Sequence, residues 1–255
     1  MEHFVTKGSI VRKIWGSADV VLLIFAGAAA EFALNKAVDW LFFTGKLPAD
    51  PLGRLFSTVG YAQKIVFAPE QAALQAIDAM SAIHSGVENK RGAQIPLWAY
   101  QDVLYMLIDY SIRAYTVLER PLSKAEKEEV VQVFVRMGAL MGISGLPDSY
   151  PDWQIQRQQH LQSNLIFGPF SKDLFAQYKK HLGHFRYLLL LEGQSLLVPQ
   201  EVRQMLGFKS FSLLKPCIPF YKLLRSIGLD NWLKKLLLPT GYHQEFKQLE
   251  TMPAY

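Results

Sequence analysis

The run Val20–Ala30, VVLLIFAGAAA, is apolar on every side of a helix, and Glu31 follows it at once. A segment with no polar face has to be wrapped on all sides, by lipid or by other protein. It is far shorter than the stretch of about 20 apolar residues that a bilayer requires. The run is therefore expected at the centre of a helical bundle, and no transmembrane helix is expected in the chain. With 255 residues, half of them hydrophobic and 19% charged, the chain can bury one large core and does not read as disordered.

The wrapping helices announce themselves by their starts and stops. Asp19 is placed to cap a helix from about Val20 to Phe43, closed by Gly45 and Pro48. Asp50-Pro51, a cap followed by proline at the first helical position, opens a helix to Phe67. Pro69-Glu70 opens another, to about Val87, and Trp98–Glu119 forms a long one closed by Pro121. Ser123 and Glu126 form a capping box for a helix to about Met141. Asp148–Trp153 is read as a turn, with helices over Ile155–Leu165, Ser171–Leu191 and Pro199–Leu206. No strand alternation or hairpin signal occurs. The expected fold is all-α: one helical bundle over residues 1–207, then a Leu- and Lys-rich segment over 208–255. That segment, punctuated by Pro216 and Pro219 and including Asp230–Leu238, either packs on the bundle or lies on a membrane surface. Both readings stand.

Composition removes several function classes. A net charge of +5 is spread singly and forms no basic stripe, so nucleic acid is not an expected partner. The surplus suits small anions such as propionates, or lipid head groups. The single cysteine, Cys217, excludes an internal disulfide and any cysteine-built zinc or iron–sulfur centre. It suggests a reducing compartment. Met1–Ser17 is polar and mixed in charge, unlike a secretory signal. A cytoplasmic or peripherally membrane-associated protein is expected. Phosphate-cradling glycine loops, nucleophile elbows and HExxH helices are absent from the sequence. His181 and His184 follow Lys179-Lys180, surroundings that disfavour a cation. His3, His160 and His243 have no evident partners. Nothing in the sequence speaks to oligomeric state.

Three helices carry candidate chemistry. Ala73, Ile77, Met80, His84 and Val87 recur at three- and four-residue steps and share one face. His84 thus sits on an apolar stripe, either as a satisfied core histidine or as an imidazole ligand to a buried haem iron. On the preceding helix, Arg54, Thr58 and Tyr61 share a face beside the apolar positions Leu55, Val59, Ala62 and Val66. A guanidinium near a core needs an anion, which is a carboxylate, a helix terminus or a haem propionate. The Thr58 hydroxyl either joins that site or bonds the carbonyl one turn back. The long helix aligns Asp102, Asp109 and Arg113. Asp109 and Arg113 form an i,i+4 pair, and Asp109 is either an internal ion-pair partner or a proton-handling carboxylate beside a cofactor.

The run Asp50-Pro-Leu-Gly-Arg54-Leu-Phe-Ser-Thr58, then Tyr61-Ala62 and Val66-Phe67, then Ile83-His84, resembles the rubber-oxygenase (latex-clearing protein) family, which includes endoplasmic-reticulum-bound fungal oxygenases. The likeness covers about residues 8–195 and rests on the Arg-x-x-x-Thr helix followed by a histidine-bearing helix. It implies a b-type haem pocket inside the bundle, with His84 as proximal iron ligand. Arg54 and Thr58 would lie in or beside the distal pocket, with Tyr61 and Met80 lining the cofactor. The implied activity is oxidative cleavage of a carbon–carbon double bond in an apolar, isoprenoid-type substrate, using O2. Ser57 stands where rubber oxygenases carry a lysine, and Tyr105 where many relatives carry a second histidine. Two other readings remain: a haem carrier or gas sensor without turnover, and a membrane-surface interaction protein.

Overall fold

The computed structural model describes residues 2–45, 49–229, 239–242 and 244, apart from the side chains of Leu55 and Thr240. These residues form eleven α-helices: α1 Ile10–Trp15, α2 Ala18–Phe32, α3 Val38–Phe43, α4 Pro51–Phe67, α5 Glu70–Arg91, α6 Leu97–Leu118, α7 Lys124–Leu140, α8 Tyr150–Ser163, α9 Pro169–Leu197, α10 Gln200–Leu206 and α11 Ile218–Ser226. The all-α expectation holds. Among the described residues the β contacts are two isolated bridges, His3 with Pro69 and Asn35 with Leu165. No described helix is long and apolar enough to cross a membrane.

The apolar run lies in α2, with Val20, Val21, Ile24 and Ala30 fully enclosed. α2 packs chiefly along α6 and is flanked by α1 and α9, while α7 covers the other side of α6. The approach to α6 depends on Gly27, where any Cβ would stand 2.3 Å from the Tyr110 ring. Trp15 fills the space beside them, edge-on to Phe25, its indole N–H donating to Ser111.

Several boundaries differ from expectation: α2 starts at Ala18, with Ser17 and not Asp19 at its cap position, and α5 runs on past Val87 to Arg91. The helix predicted over Val20–Phe43 ends at Phe32 and resumes as α3. Asn35 makes the break: its side-chain oxygen accepts from Ala37 N at 2.8 Å and its amide donates to Asp102 at 2.7 Å. Backbone bonds at the bridge to Leu165, including Ile166 N to Leu34 O at 2.7 Å, hold the turn. A side chain that satisfies its own backbone outcompetes helix continuation. Of the segment predicted as a turn, Asp148–Trp153, the part from Tyr150 on already belongs to α8, because Ser149 caps it at Asp152 N and Pro151 takes an early helical position. α9 is longer than expected and carries a kink at Gly183, whose φ of 72° is open to glycine. The capping signals at Asp50 and Ser123 act as read.

After Gly207 the described chain, as far as Leu229, stays on the bundle. Phe208 and Tyr221 pack against the main core. Tyr221 donates to Asp19 at 2.6 Å, and Arg225 reaches Glu119 at 2.6 Å. Pro48, His243 and the run Asp230–Leu238 lie outside the described residues.

Candidate functional site

α4 and α5 form a hairpin through Ala68 and Pro69, and their facing sides bring the predicted residues together. Asp50 fixes the start of α4, accepting from Gly53 N at 2.9 Å and from the Tyr242 hydroxyl at 2.6 Å. Phe56, Val59, Ala62, Ile65 and Val66 bury the core side of α4, leaving Arg54, Thr58 and Tyr61 half-buried along its flank. On α5 the stripe emerges from the core as it proceeds: Ala73 and Ile77 are buried, Met80 packs at the margin, and His84 is half-buried. Tyr100, early in α6, closes the other side. Its ring meets the His84 ring edge-to-face at 5.2 Å. Its hydroxyl donates to Glu88 at 3.2 Å, and the same carboxylate oxygen accepts from Ile95 N at 2.9 Å.

A buried, unpartnered imidazole nitrogen beside a guanidinium unpaired among the described residues marks this corner. His84 Nδ1 is buried without a hydrogen-bond partner. Burial pushes the imidazole below the usual histidine range and the Arg54 charge pushes it the same way, with Glu88 opposing. The ring is thus held neutral, with its lone pair available. Among the described residues no acceptor is hydrogen-bonded to the Arg54 guanidinium. Burial lowers its pKa, and Tyr61 acts against that loss. The Thr58 hydroxyl donates to Arg54 O at 3.0 Å, the local bond of its alternative reading. Tyr61 carries the Lys64 ammonium 5.5 Å above its ring.

Asp109 belongs to a different place. It accepts from Arg113 Nε at 2.6 Å and from Arg157 at 3.0 and 3.1 Å. Arg157 is itself buried and grips Glu31 through two nitrogens, at 2.6 and 2.5 Å. Tyr110 donates to Glu31 at 2.8 Å. Burial works against the Arg157 charge, but Glu31 and Asp109 more than offset it and hold the group firmly protonated. Tyr100 and Asp109 are nine residues apart on α6, about 13 Å along its axis, so the structure does not join Asp109 to His84 in one cluster. Arg113, Asp109, Arg157, Trp153 and Glu201 instead border a separate cavity of about 350 Å³.

A second polar cluster forms around Asp102 and Tyr105, with partners that their helix does not supply. Asp102 takes the His160 imidazole on one oxygen, Asn35 on the other at 2.7 Å, and the Asn164 amide at 3.0 Å. Tyr105 lies with its ring 5.1 Å from His160 and donates to Gln156. Burial and the Asp102 charge raise the Tyr105 phenol to about 12. These partners come from α6, α8 and the α2–α3 turn, so no spacing in the sequence foretells them. The i,i+4 pair His160 and Asn164 was the one local signal.

Among the described residues no three His, Cys, Asp or Glu side chains gather to hold a bare metal ion. The family model described as ER-bound oxygenase mpaB/B′/rubber oxygenase, catalytic domain, matches residues 12–227. The chain belongs to this family. The match takes in α2 to α11 and most of α1, and with them the whole α4–α5 hairpin of Arg54, Thr58 and His84. It also runs beyond Gly207 into α11, past the stretch on which the resemblance was first read. No curated protein matches the chain, and no solved structure does. The mpaB/rubber oxygenase assignment makes the fold an oxygenase catalytic domain.

Proposed function

We propose that the chain is a haem b-dependent oxygenase that uses O2 on an apolar, unsaturated substrate of isoprenoid type. The observation that carries this reading is the pairing of His84 and Arg54. A neutral, half-buried imidazole with no hydrogen bond stands beside a half-buried guanidinium that no described carboxylate neutralises. A porphyrin supplies both missing partners at once, an iron for the imidazole and a propionate for the guanidinium. Its iron needs only one protein nitrogen, since the ring occupies four positions. The residues present fit the group.

In this reading His84 would hold the iron, with the Tyr100 ring, itself tethered to Glu88, packed edge-to-face against the imidazole. Arg54 orients a propionate or the polar end of the oxidant. Thr58, whose hydroxyl now donates to Arg54 O, would offer a hydrogen-bond donor beside the group. Tyr61 and Met80 line the ring. Ser57 stands where rubber oxygenases carry a lysine, so that turn of α4 offers no amine that would compete for the iron. When bound, the haem would supply the redox chemistry that activates O2. The balanced overall reaction adds both oxygen atoms across a C=C bond and yields two carbonyl groups. Asp109, tied to two guanidiniums, is assigned no proton transfer.

The test is an absorption spectrum of the purified chain supplied with haem, wild type beside His84→Ala. The wild type shows a Soret band shifted from that of free haem, and the variant loses the shift while keeping its helical circular dichroism. A wild type that leaves the haem spectrum unchanged removes the proposal.

A further inference from the structure

α11 is docked inside-out. The side it turns to the bundle is polar. Tyr221 bonds Asp19, Lys222 Nζ donates to Glu119 O at 3.0 Å, and Arg225 pairs with Glu119 and reaches Asp19 at 3.5 Å. The side it turns outward is apolar. Phe220, Leu223 and Ile227, spaced three and four residues apart, are 62%, 58% and 60% exposed. Phe211, Leu213 and Leu229 extend the exposed apolar surface on either side of the helix. An ordinary surface helix does the reverse, burying its greasy stripe and presenting its charges. Here four ion-pair and hydrogen-bond contacts hold the greasy stripe in water, where a contiguous apolar patch marks an interaction face.

The charges next to the patch say what it meets. From Gly207 to Leu229 the chain contains Lys209, Lys215, Lys222 and Arg225 and no acidic residue. Lys222 and Arg225 are spent on the bundle, while Lys209 and Lys215 are exposed. Outward Phe, Leu and Ile beside unpaired lysines match an interface of acyl chains under anionic head groups.

We infer that the outward face of α11, with the Phe211–Lys215 turn before it, docks the protein on an anionic lipid bilayer. Phe220, Leu223 and Ile227 enter the acyl boundary, and Lys209 and Lys215 meet the head groups. The anchors Tyr221, Lys222 and Arg225 keep the helix on the bundle, so the whole domain is held at the surface. This inference does not rest on haem. It would also place the domain beside the apolar phase into which a hydrocarbon substrate partitions.

Vesicle flotation tests it, with phosphatidylcholine alone against phosphatidylcholine containing phosphatidylserine. The full chain floats with the anionic vesicles, and binding falls as salt is raised. The triple variant F220S/L223S/I227S loses affinity by about tenfold or more, and K209E/K215E loses it on anionic vesicles specifically. Both keep the wild-type thermal transition, because the altered side chains face outward. An environment-sensitive fluorophore on Cys217, the single and exposed cysteine, shifts to the blue with wild type on anionic vesicles. Three results overturn the inference: a wild type that floats with neither vesicle, variants that float as wild type does, or a patch satisfied by self-association. The last would show as a concentration-dependent dimer that the triple variant dissolves while wild type ignores vesicles.

Discussion

Two polar regions of this protein obey opposite rules. Around Arg157 every charge is answered: Glu31 and Asp109 face two guanidiniums, and Tyr110 donates to Glu31. Around His84 the charge and the lone pair are left open, with Nδ1 buried and unbonded and Arg54 half-buried without a carboxylate. Both are costly environments for polar groups. A cluster whose charges answer one another locks helices together, here α2, α6 and α8. A cluster that leaves its costs unpaid by protein atoms is preorganised for something else. The contrast separates scaffold from candidate site more sharply than burial does, since Arg157 is far more deeply buried than His84.

Breaking the satisfied region has the largest effect. Arg157→Met leaves two buried carboxylates facing each other, and unfolding by denaturant is expected to show a loss of about 3–5 kcal/mol. A loss under about 1 kcal/mol would mean that the network is solvated and the contrast false. Arg54→Met sharpens the comparison from the other side. With no protein partner to orphan, it leaves the thermal transition of the haem-free protein unchanged or raised. It weakens haem binding, read by titration of the Soret band, by about tenfold to a hundredfold. A variant that melts early in the absence of haem would show a structural partner for Arg54 instead.

The smallest effect concerns pH. Because burial holds His84 below its unfolded value of 6.5, the unfolded chain binds the extra proton first as pH falls. The His84 contribution to stability is therefore complete above about 6.5 and declines on the acid side until the folded-state pKa is passed. Denaturant midpoints across that window should fall more steeply for wild type than for His84→Gln. Equal slopes would mean that the ring is freely solvated. Protonation also competes with iron, so haem should be lost through the same acid range.

How much of this was legible in the residues depends on the distance over which each signal acts. Asp50-Pro51 and the Ser123–Glu126 box marked helix starts correctly because a cap is made within four residues. The stripe from Ala73 to His84 was legible for the same reason. The break at Asn35 was missed because its decisive partners are Asp102 and the segment at Leu165–Ile166, far along the chain. The Asp109–Arg113 pair could be read, one turn apart on a helix. Its engagement with Arg157 and Glu31 could not, and that engagement sets Asp109 apart from His84.

The sequence by itself determined that the chain is helical, that α2 is wrapped by the others, and that Arg54, Thr58 and Tyr61 share one face and Met80 and His84 another. These follow from periodicity and capping, which act within a turn or two of backbone. Tertiary structure alone decided which charges meet, which polar atoms go unanswered, and that α11 turns its apolar side outward. Each of those outcomes depends on the approach of residues distant in the chain, and an isolated helical pattern carries no information about which of its faces another helix will cover.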